Sequence, residues 1–256
     1  MSTNCVILVF NKDYASKASS TFKQLREVGA YADDVVLLTG NDLIGEDLTL
    51  AFPGAFVIHK HFPDFDRRDI LEILKNKNVT DTREFTKPFQ WHKLHCFDVF
   101  FKQWAKCMYI DAGMHIFKSI DRIMNLKCEG HLVAHSDAYP SGQRELTCQF
   151  NYDHTPLLYE KLIRKYKLNV NYFQSGVMLY DTKLIDGNTK SEIFELSREY
   201  YNCRTNEQGI LNLYFNCHKN VWSVLPVSDS KGFLYDFWER GKAKKTEYVM
   251  LKYPKT

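Results

Sequence analysis

The sequence predicts an α/β protein with a mostly parallel central sheet and helices on both of its faces. Three observations carry that reading. The short apolar runs CVILVF, DDVVLLTG and GAFVIHK have the length of strands, and the first two show the continuous hydrophobicity of strands buried on both sides. Stretches such as DYASKASSTFKQLREVG and RRDILEILKNKN place their apolar residues at three- and four-residue spacing, as amphipathic helices do. Strand and helix alternate along the chain with no repeat, low-complexity tract or linker, so residues 1–256 are expected to form one domain.

Taken in order, CVILVF opens the sheet, and the helix after it is expected to stop at Gly29 as a C-cap. DDVVLLTG is the second strand; a polar stretch with a short helix leads to GAFVIHK, the third, and RRDILEILKNKN is the next helix. From Pro88, the run FQWHKLHCFDVFFKQW puts Trp91, Leu94, Phe97, Phe101 and Trp104 at helical spacing, with Trp91, Phe97 and Trp104 assigned to core packing. It delivers the chain to the strand KCMYID, which ends at Asp111. HLVAHSD is a further strand ending in an acid, Asp137, and the polar, turn-rich PSGQRELTCQFNYDHT after it reads as an active-site loop. PLLYEKLIRKYKL is a helix, FQSGVMLYDT a strand containing Gly176, SEIFELSREYYN and NEQGILNLYFN are helices, and VWSVLP closes the sheet.

Composition narrows the function classes. With 45% hydrophobic and 14% aromatic residues the chain can fill a sizeable core. The net charge is only +3 and the signs are interspersed, which argues against a nucleic-acid partner. Near the end, Arg240, Lys242, Lys244, Lys245, Lys252 and Lys255 outnumber Glu239 and Glu247, either as a solvated tail or as a positive field that meets phosphates or an anionic membrane surface. The seven cysteines are scattered and never form a C-x-x-C pair, so neither a zinc site nor a disulfide framework is expected. No basic leader precedes the first apolar run, and no apolar stretch approaches the roughly 20 residues of a bilayer span. The expected setting is a reducing, soluble compartment such as the cytoplasm, peripheral to a membrane if the basic end engages one.

In open α/β sheets, ligands gather outside the carboxyl ends of the strands. Asp111 and Asp137 both fall at such ends. A carboxylate there can hold a divalent cation that neutralises a diphosphate, can bond a sugar hydroxyl, or can cap the following turn. Gly113, lacking a Cβ, lets another molecule approach the backbone.

The run HKLHCFDVFFKQWAKCMYIDAGMHIFKSID resembles a segment of the glycogenin-like and related family 8 glycosyltransferases, in which Lys-Leu-His-Cys opens a helix, Lys-Cys starts a strand, and Asp-x-Asp precedes Ile-Asp. VFNKDYASKA is similar to their first strand and turn, FQSGVMLYDT to their Phe-Asn-Ser-Gly strand, and NEQGILN to their Asp-Gln-Gly-Leu-Leu-Asn helix start. The four motifs stand in the family's order over most of the chain. This resemblance implies the GT-A (Rossmann-like) fold and a retaining hexosyl- or pentosyltransferase. The donor would be a nucleotide diphosphate sugar, commonly a UDP-sugar, and the acceptor a hydroxyl of a glycan, glycoprotein or glycolipid.

Carried over by position, the resemblance implies that Asn11 and Tyr14 line the base and ribose, with Phe10 and Phe89 at the edges of that pocket. Lys93 would lie near the diphosphate or the sugar, and Asp111 would be the first acid of Asp-x-Asp, with Ala112 and Gly113 beside it in the donor site. Asp137 and Gln174 would bond sugar hydroxyls, Asp137 also counting among the catalytic groups. Glu207 and Gln208 would stand beside the anomeric carbon. Carboxylates and amides suit hydroxyls because both accept hydrogen bonds and the amide also donates.

The sequence departs from the pattern in two places. Gly113 replaces the second acid, and YVMLKYPKT has Met250 nearest the position of a family histidine in His-x-x-Gly-x-Lys-Pro-Trp. A manganese or magnesium ion would thereby lose about half of its protein ligands, although water and phosphate oxygens can complete the shell. Two arrangements follow: a metal held weakly by Asp111 and the diphosphate, or Lys231, Lys252 and neighbouring basic residues neutralising the leaving group without metal. The retained Asp111 tips the expectation toward the weak metal site. His115 is either a substitute ligand or a strand residue pointing away. Glu207, one methylene longer than the family's Asp, is either catalytic or a first-turn acid favoured by the helix dipole. Among the later aromatics, Tyr139, Tyr152, Phe233, Tyr235 and Trp238 could stack on an acceptor, Tyr235 and Trp238 being the favoured pair. The missing ligands also leave open a second class, a nucleotide-sugar binding protein without catalysis. A nucleotidyltransferase would want a glycine-rich basic loop after the first strand, where VFNKDYASKA offers only Lys12.

Overall fold

The computed structural model describes residues 3–79, 82–139, 144–153, 155–237 and 244–253. Its first half runs β1 (Asn4–Val9), α1 (Ala15–Glu27), β2 (Asp34–Thr39), β3 (Val57–His61), α2 (Arg68–Asn76), α3 (Arg83–Thr86), β4 (Lys106–Asp111), β5 (Met114–Ile116) and α4 (Asp121–Met124). Next come β6 (Leu132–Ser136), α5 (Pro156–Lys165), β7 (Phe173–Asp181), α6 (Thr189–Glu199) and α7 (Glu207–Leu211). The chain closes with β8 (Trp222–Val224), β9 (Ser228–Asp229), β10 (Gly232–Phe233), β11 (Tyr235–Phe237) and β12 (Met250–Lys252).

Seven strands form the central sheet in the order β3-β2-β1-β4-β7-β6-β8. β1 lies in its interior because NCVILV has no polar face: Cys5, Ile7 and Val9 pack into one core and Val6 and Leu8 into another. The first core includes Trp91, Phe97, Phe101 and Trp104, the second Phe22 and Leu25 of α1, so the sheet is covered on both faces. β1, β2, β3, β4, β6 and β8 run one way, and β7 runs antiparallel to both β4 and β6. That reversal sets the site. Residues 173–175, at the start of β7, come to the same edge as the ends of β4 and β6, with Val177 opposite Ile110 and Phe173 opposite Ser136.

A smaller sheet, β11-β12-β5, brings the end of the chain to the corner that follows β4. There β12 pairs antiparallel with β5, placing Lys252 opposite Met114. α1 braces the same corner: Thr21 Oγ1 accepts from the Gly113 N–H at 2.9 Å and donates to the Met114 carbonyl at 3.1 Å.

Two local expectations change. The left-handed residue after α1 is Ala30, with φ 53°, and not Gly29. Gly29 is required for a different reason, since a Cβ there would lie 2.6 Å from the Leu25 carbonyl oxygen. The stretch after Pro88 is two 3-10 helices, Pro88–Phe97 and Val99–Gln103, broken at Asp98, whose side chain accepts from the Phe100 N–H at 2.9 Å. Every residue from 91 to 97 is buried, so no polar face marks a helical period and packing decides the backbone. Cys5, Cys96, Cys107, Cys128 and Cys203 are buried free thiols. Among the described residues no helix is long and apolar enough to cross a membrane.

Candidate active site

β4 stays buried until Asp111, where the strand leaves the sheet and its last side chain meets three donors. Asp111 Oδ1 accepts from the Tyr109 hydroxyl and lies 3.0 Å from Lys93 Nζ, while Oδ2 lies 3.3 Å from Lys252 Nζ. Lys93 also reaches Glu207 Oε1 at 2.8 Å and Ser175 Oγ at 3.4 Å. Ser175 in turn donates to the same Glu207 oxygen at 2.9 Å. Glu207 is the first residue of α7 and only 1% exposed, and its Oε2 is buried without a partner. The chain enters α7 through Asn206 at φ 53° and ψ −117°, a sparsely populated backbone for a residue with a Cβ, anchored by its amide on the Lys87 carbonyl at 3.1 Å.

Charge partners dominate this cluster. Burial pushes the Lys93 ammonium toward its neutral form, but the carboxylates of Asp111 and Glu207 outweigh burial and hold its pKa above the ordinary lysine value. Burial likewise pushes Asp111 up, and Lys252 and then Lys93 overcome it, holding the carboxyl well below the usual carboxylate range. Burial, reinforced by Asp111, raises the Tyr109 phenol far above its ordinary value, so it acts as a neutral donor. Gly176 makes room for the cluster: a Cβ there would lie 3.4 Å from the Tyr235 hydroxyl and 3.5 Å from Asp111 Oδ2.

Beside it, just past the end of β6, Asp137 heads a second network. Gln174 Nε2 donates to Asp137 Oδ1 at 2.7 Å, the Tyr172 hydroxyl donates to Oδ2, and Arg144 lies 3.5 Å from Oδ2. Gln149 Nε2 donates to the Tyr172 oxygen at 3.1 Å, and Gln208 Nε2 donates to Gln149 Oε1 at 3.2 Å. Gln208 Oε1 also accepts the Ser175 N–H at 3.2 Å, which ties the two networks together. Burial, with Asp137 next to it, raises the Tyr172 phenol and keeps it protonated.

The structure thus gathers Lys93, Asp111, Ala112, Asp137, Gln174, Glu207 and Gln208, named from the sequence, into one connected group. It adds Tyr109, Gln149, Tyr172 and Ser175. Ser175 stood inside the FQSG motif and was readable; Gln149 carried no signal, since its place depends on the 3-10 turn Leu146–Gln149. Gly113 takes φ +84° at the corner beyond Asp111. Asn11 follows β1, its Oδ1 buried without a partner, and Tyr14 lies under the Lys17 ammonium, 5.5 Å from the ring centroid. Phe89 stacks on His92 at 4.5 Å, whereas Phe10 is a core residue, 1% exposed and stacked on Phe52 at 5.1 Å.

Several expectations are corrected. Tyr235 is fully buried, its hydroxyl on Gln174 Oε1 at 3.4 Å, so its ring has no open face for an acceptor. Trp238 lies outside the described residues, as do Arg240, Lys242 and Lys255 of the basic end. Lys252 turns inward. Lys231 is an exposed residue of the turn joining β9 and β10, with its N–H on Asp229. His115 is the exposed residue of β5 and packs edge-on against Tyr253 at 4.5 Å.

A divalent cation needs open carboxylate oxygens. The Asp111 oxygens already take two ammoniums and a phenol, Gly113 carries no ligand, and Met250 is buried in the core. Among the described residues no group of three or more His, Cys, Asp or Glu could hold a metal ion. These residues do not fit the expected weak metal site, because a dication beside Asp111 would meet two like charges.

The model of glycosyl transferase family 8 matches residues 5–231. The chain belongs to this family. It is accordingly a glycosyltransferase with a nucleotide-sugar donor, and solved structures share its GT-A fold. Against the galactosyltransferase LgtC in complex with donor and acceptor sugar analogues, the TM-score is 0.62 at 12% identity, over 97% of this chain and 86% of that one. For the mannosyltransferase Ktr4p from S. cerevisiae in complex with GDP it is 0.55 at 10% identity, over 87% and 69%. Core-mannan synthase A from Aspergillus fumigatus, in a Mn/GDP form, gives 0.53 at 10% identity, over 88% and 73%. A comparison with curated proteins returned no match. The family 8 match ends before β12, so the strand that carries Lys252 lies beyond the matched segment.

Proposed function

We propose that this chain, with residues 1–256 as its catalytic domain, is a retaining hexosyl- or pentosyltransferase that moves a sugar from a UDP-sugar to a hydroxyl of a glycan, glycoprotein or glycolipid. The observation that carries the reading is the buried Lys93 ammonium held between Asp111 and Glu207, next to the Asp137–Gln174 pair. Cleavage of the anomeric C–O bond leaves positive charge on the sugar and negative charge on the diphosphate. Carboxylates favour the first and ammoniums the second. Asp137 and Gln174 offer acceptors and donors to sugar hydroxyls, and the unpartnered Glu207 Oε2 and the Gln208 amide serve the anomeric carbon. The unpartnered Asn11 Oδ1 supports a uracil base, whose imide N–H it can accept. Retention rests on the likeness of NEQGILN to the family's helix start.

The test is incubation with labelled UDP-glucose, UDP-galactose, UDP-N-acetylglucosamine and UDP-xylose, with release of UDP and free sugar measured. Slow hydrolysis of one donor to the retained anomer, lost in Glu207→Gln, is the expected result. Binding without turnover would assign the chain to the non-catalytic donor-binding class, and no binding of any donor would end the proposal.

A further inference from the structure

We propose that the Lys252 ammonium stands in the place of a divalent cation, neutralising the departing diphosphate so that transfer needs no metal. This rests on the transferase reading above and assigns a leaving-group residue within it. Lys252 closes β12, and the pairing of β12 with β5 fixes its backbone beside the corner after Asp111. From there its Nζ meets one carboxylate oxygen, Asp111 Oδ2 at 3.3 Å, and one backbone carbonyl, Ala112 at 3.1 Å. Carboxylate and carbonyl oxygens are the ligands a hard cation takes. Here they hold an ammonium.

The two lysines of the cluster are not equivalent. Lys93 directs its ammonium at Asp111, Glu207 and Ser175, and its side chain is 10% exposed. Three N–H donors meet three protein acceptors. Lys252 spends two N–H donors on Asp111 and Ala112, which leaves one for a phosphate oxygen, and its side chain is 21% exposed. Lys93, Lys252, Asp111 and Glu207 sum to zero charge, so a bound diphosphate brings the negative charge that the exposed ammonium can meet. Gly113 adds no carboxylate to recruit a metal in competition.

In the step itself, the anomeric C–O bond breaks and its electron pair stays on the β-phosphate oxygen. The Lys252 N–H bonds that oxygen and keeps its own proton. The acceptor oxygen forms the new bond to the anomeric carbon and releases its proton to the departing diphosphate. No oxidant or metal enters the balance.

The experiment measures UDP binding by calorimetry and hydrolysis of the turned-over UDP-sugar, first in EDTA and then with manganese. The expected result is equal binding and turnover within about twofold in the two conditions. Lys252→Met should lower kcat about 100-fold, the loss seen when one stabilising donor is removed, and Lys252→Arg should recover most of it. A purely structural lysine would not show that rescue together with chelator indifference. Turnover abolished by EDTA and restored by manganese overturns the proposal and leaves the transferase reading standing; full turnover in Lys252→Met also overturns it. Absence of UDP binding in both conditions overturns both. If Lys252→Met fails to fold, the chelator comparison on the unaltered protein decides.

Discussion

The two strand ends that carry acids are built on opposite electrostatic plans. At the end of β4, Asp111 sits among charges: Lys93 and Lys252 on its oxygens, Glu207 across Lys93. Past the end of β6, Asp137 takes the Gln174 amide and the Tyr172 hydroxyl on its oxygens, with Arg144 as an exposed ion partner. Identical residue types at equivalent topological positions thus acquire different chemistry from their partners. A cluster of ammoniums suits a diphosphate, whereas an amide and carboxylate pair suits hydroxyls. Proximity couples them through Gln208 and Ser175, as a donor substrate with a charged half and a polyol half requires.

The strongest attempt to break this contrast is Lys93→Met. It strips the buried Glu207 of its ammonium partner and leaves it beside the half-buried Asp111, so unfolding in urea should show a loss of about 3–5 kcal/mol, the cost of removing one partner from a buried pair, and donor hydrolysis should vanish. A loss below about 1 kcal/mol would mean the cluster is not held by charge. Asp111→Asn keeps the shape and one acceptor oxygen, and hydrolysis should fall about 100-fold. Asp137→Asn, in the hydrogen-bonded network, should cost only about tenfold in kcat/KM, the worth of one hydrogen bond to a substrate hydroxyl. Equal losses in the last two variants would erase the distinction.

Acidity sharpens the comparison further. Asp111, with its folded pKa depressed, adds stability that is present above the unfolded value near 4 and is lost only as pH falls through the lower folded value. Lys93, with its folded pKa raised, adds stability that is present below the unfolded value near 10.4 and is lost as pH rises through the higher folded value. Between roughly pH 5 and 9 Asp111 and Lys93 therefore leave stability unchanged. Two buried histidines nearby do the reverse. Burial lowers His92 to about 4, and burial with the neighbouring His92 and Lys190 charges lowers His95 to about 2. Below about 6.5 the unfolded chain takes protons that the folded chain refuses, so stability falls on acidification, by up to about 1.4 kcal/mol per pH unit for each histidine. Thermal melts at pH 7, 6 and 5 should show this slope, and His95→Gln should flatten it. The smallest effect belongs to Arg144→Ala: its side chain is 57% exposed, so binding of the donor should change by less than about 1 kcal/mol in calorimetry.

Much of the architecture was legible because residues buried on both faces of a parallel sheet leave unbroken apolar runs. β1, β2, β4 and β6 all appear where CVILVF, DDVVLLTG, KCMYID and HLVAHSD placed them. The Pro88 segment was harder: with residues 91–97 all buried it carries no polar stripe, and its 3-10 backbone follows from packing. Of the candidate site, the residues that lie in contiguous motifs, including Lys93, Asp111, Gln174 and Glu207, are ones the structure brings together. Those that depend on contacts far apart in the chain were missed or misassigned. Gln149 reaches Gln208 across 59 positions, and Tyr235 reads as an acceptor platform until its hydroxyl is seen on Gln174.

The sequence by itself determined the alternation of strand and helix and the placing of two acids at strand ends, because both are encoded in local hydrophobic periods of a few residues. Tertiary structure alone decided that β7 runs backwards, carrying Gln174 and Ser175 to those acids, and that a three-residue strand near the chain's end swings Lys252 onto Asp111. Such pairings depend on which distant segments bury one another, and no local period of side chains records that choice.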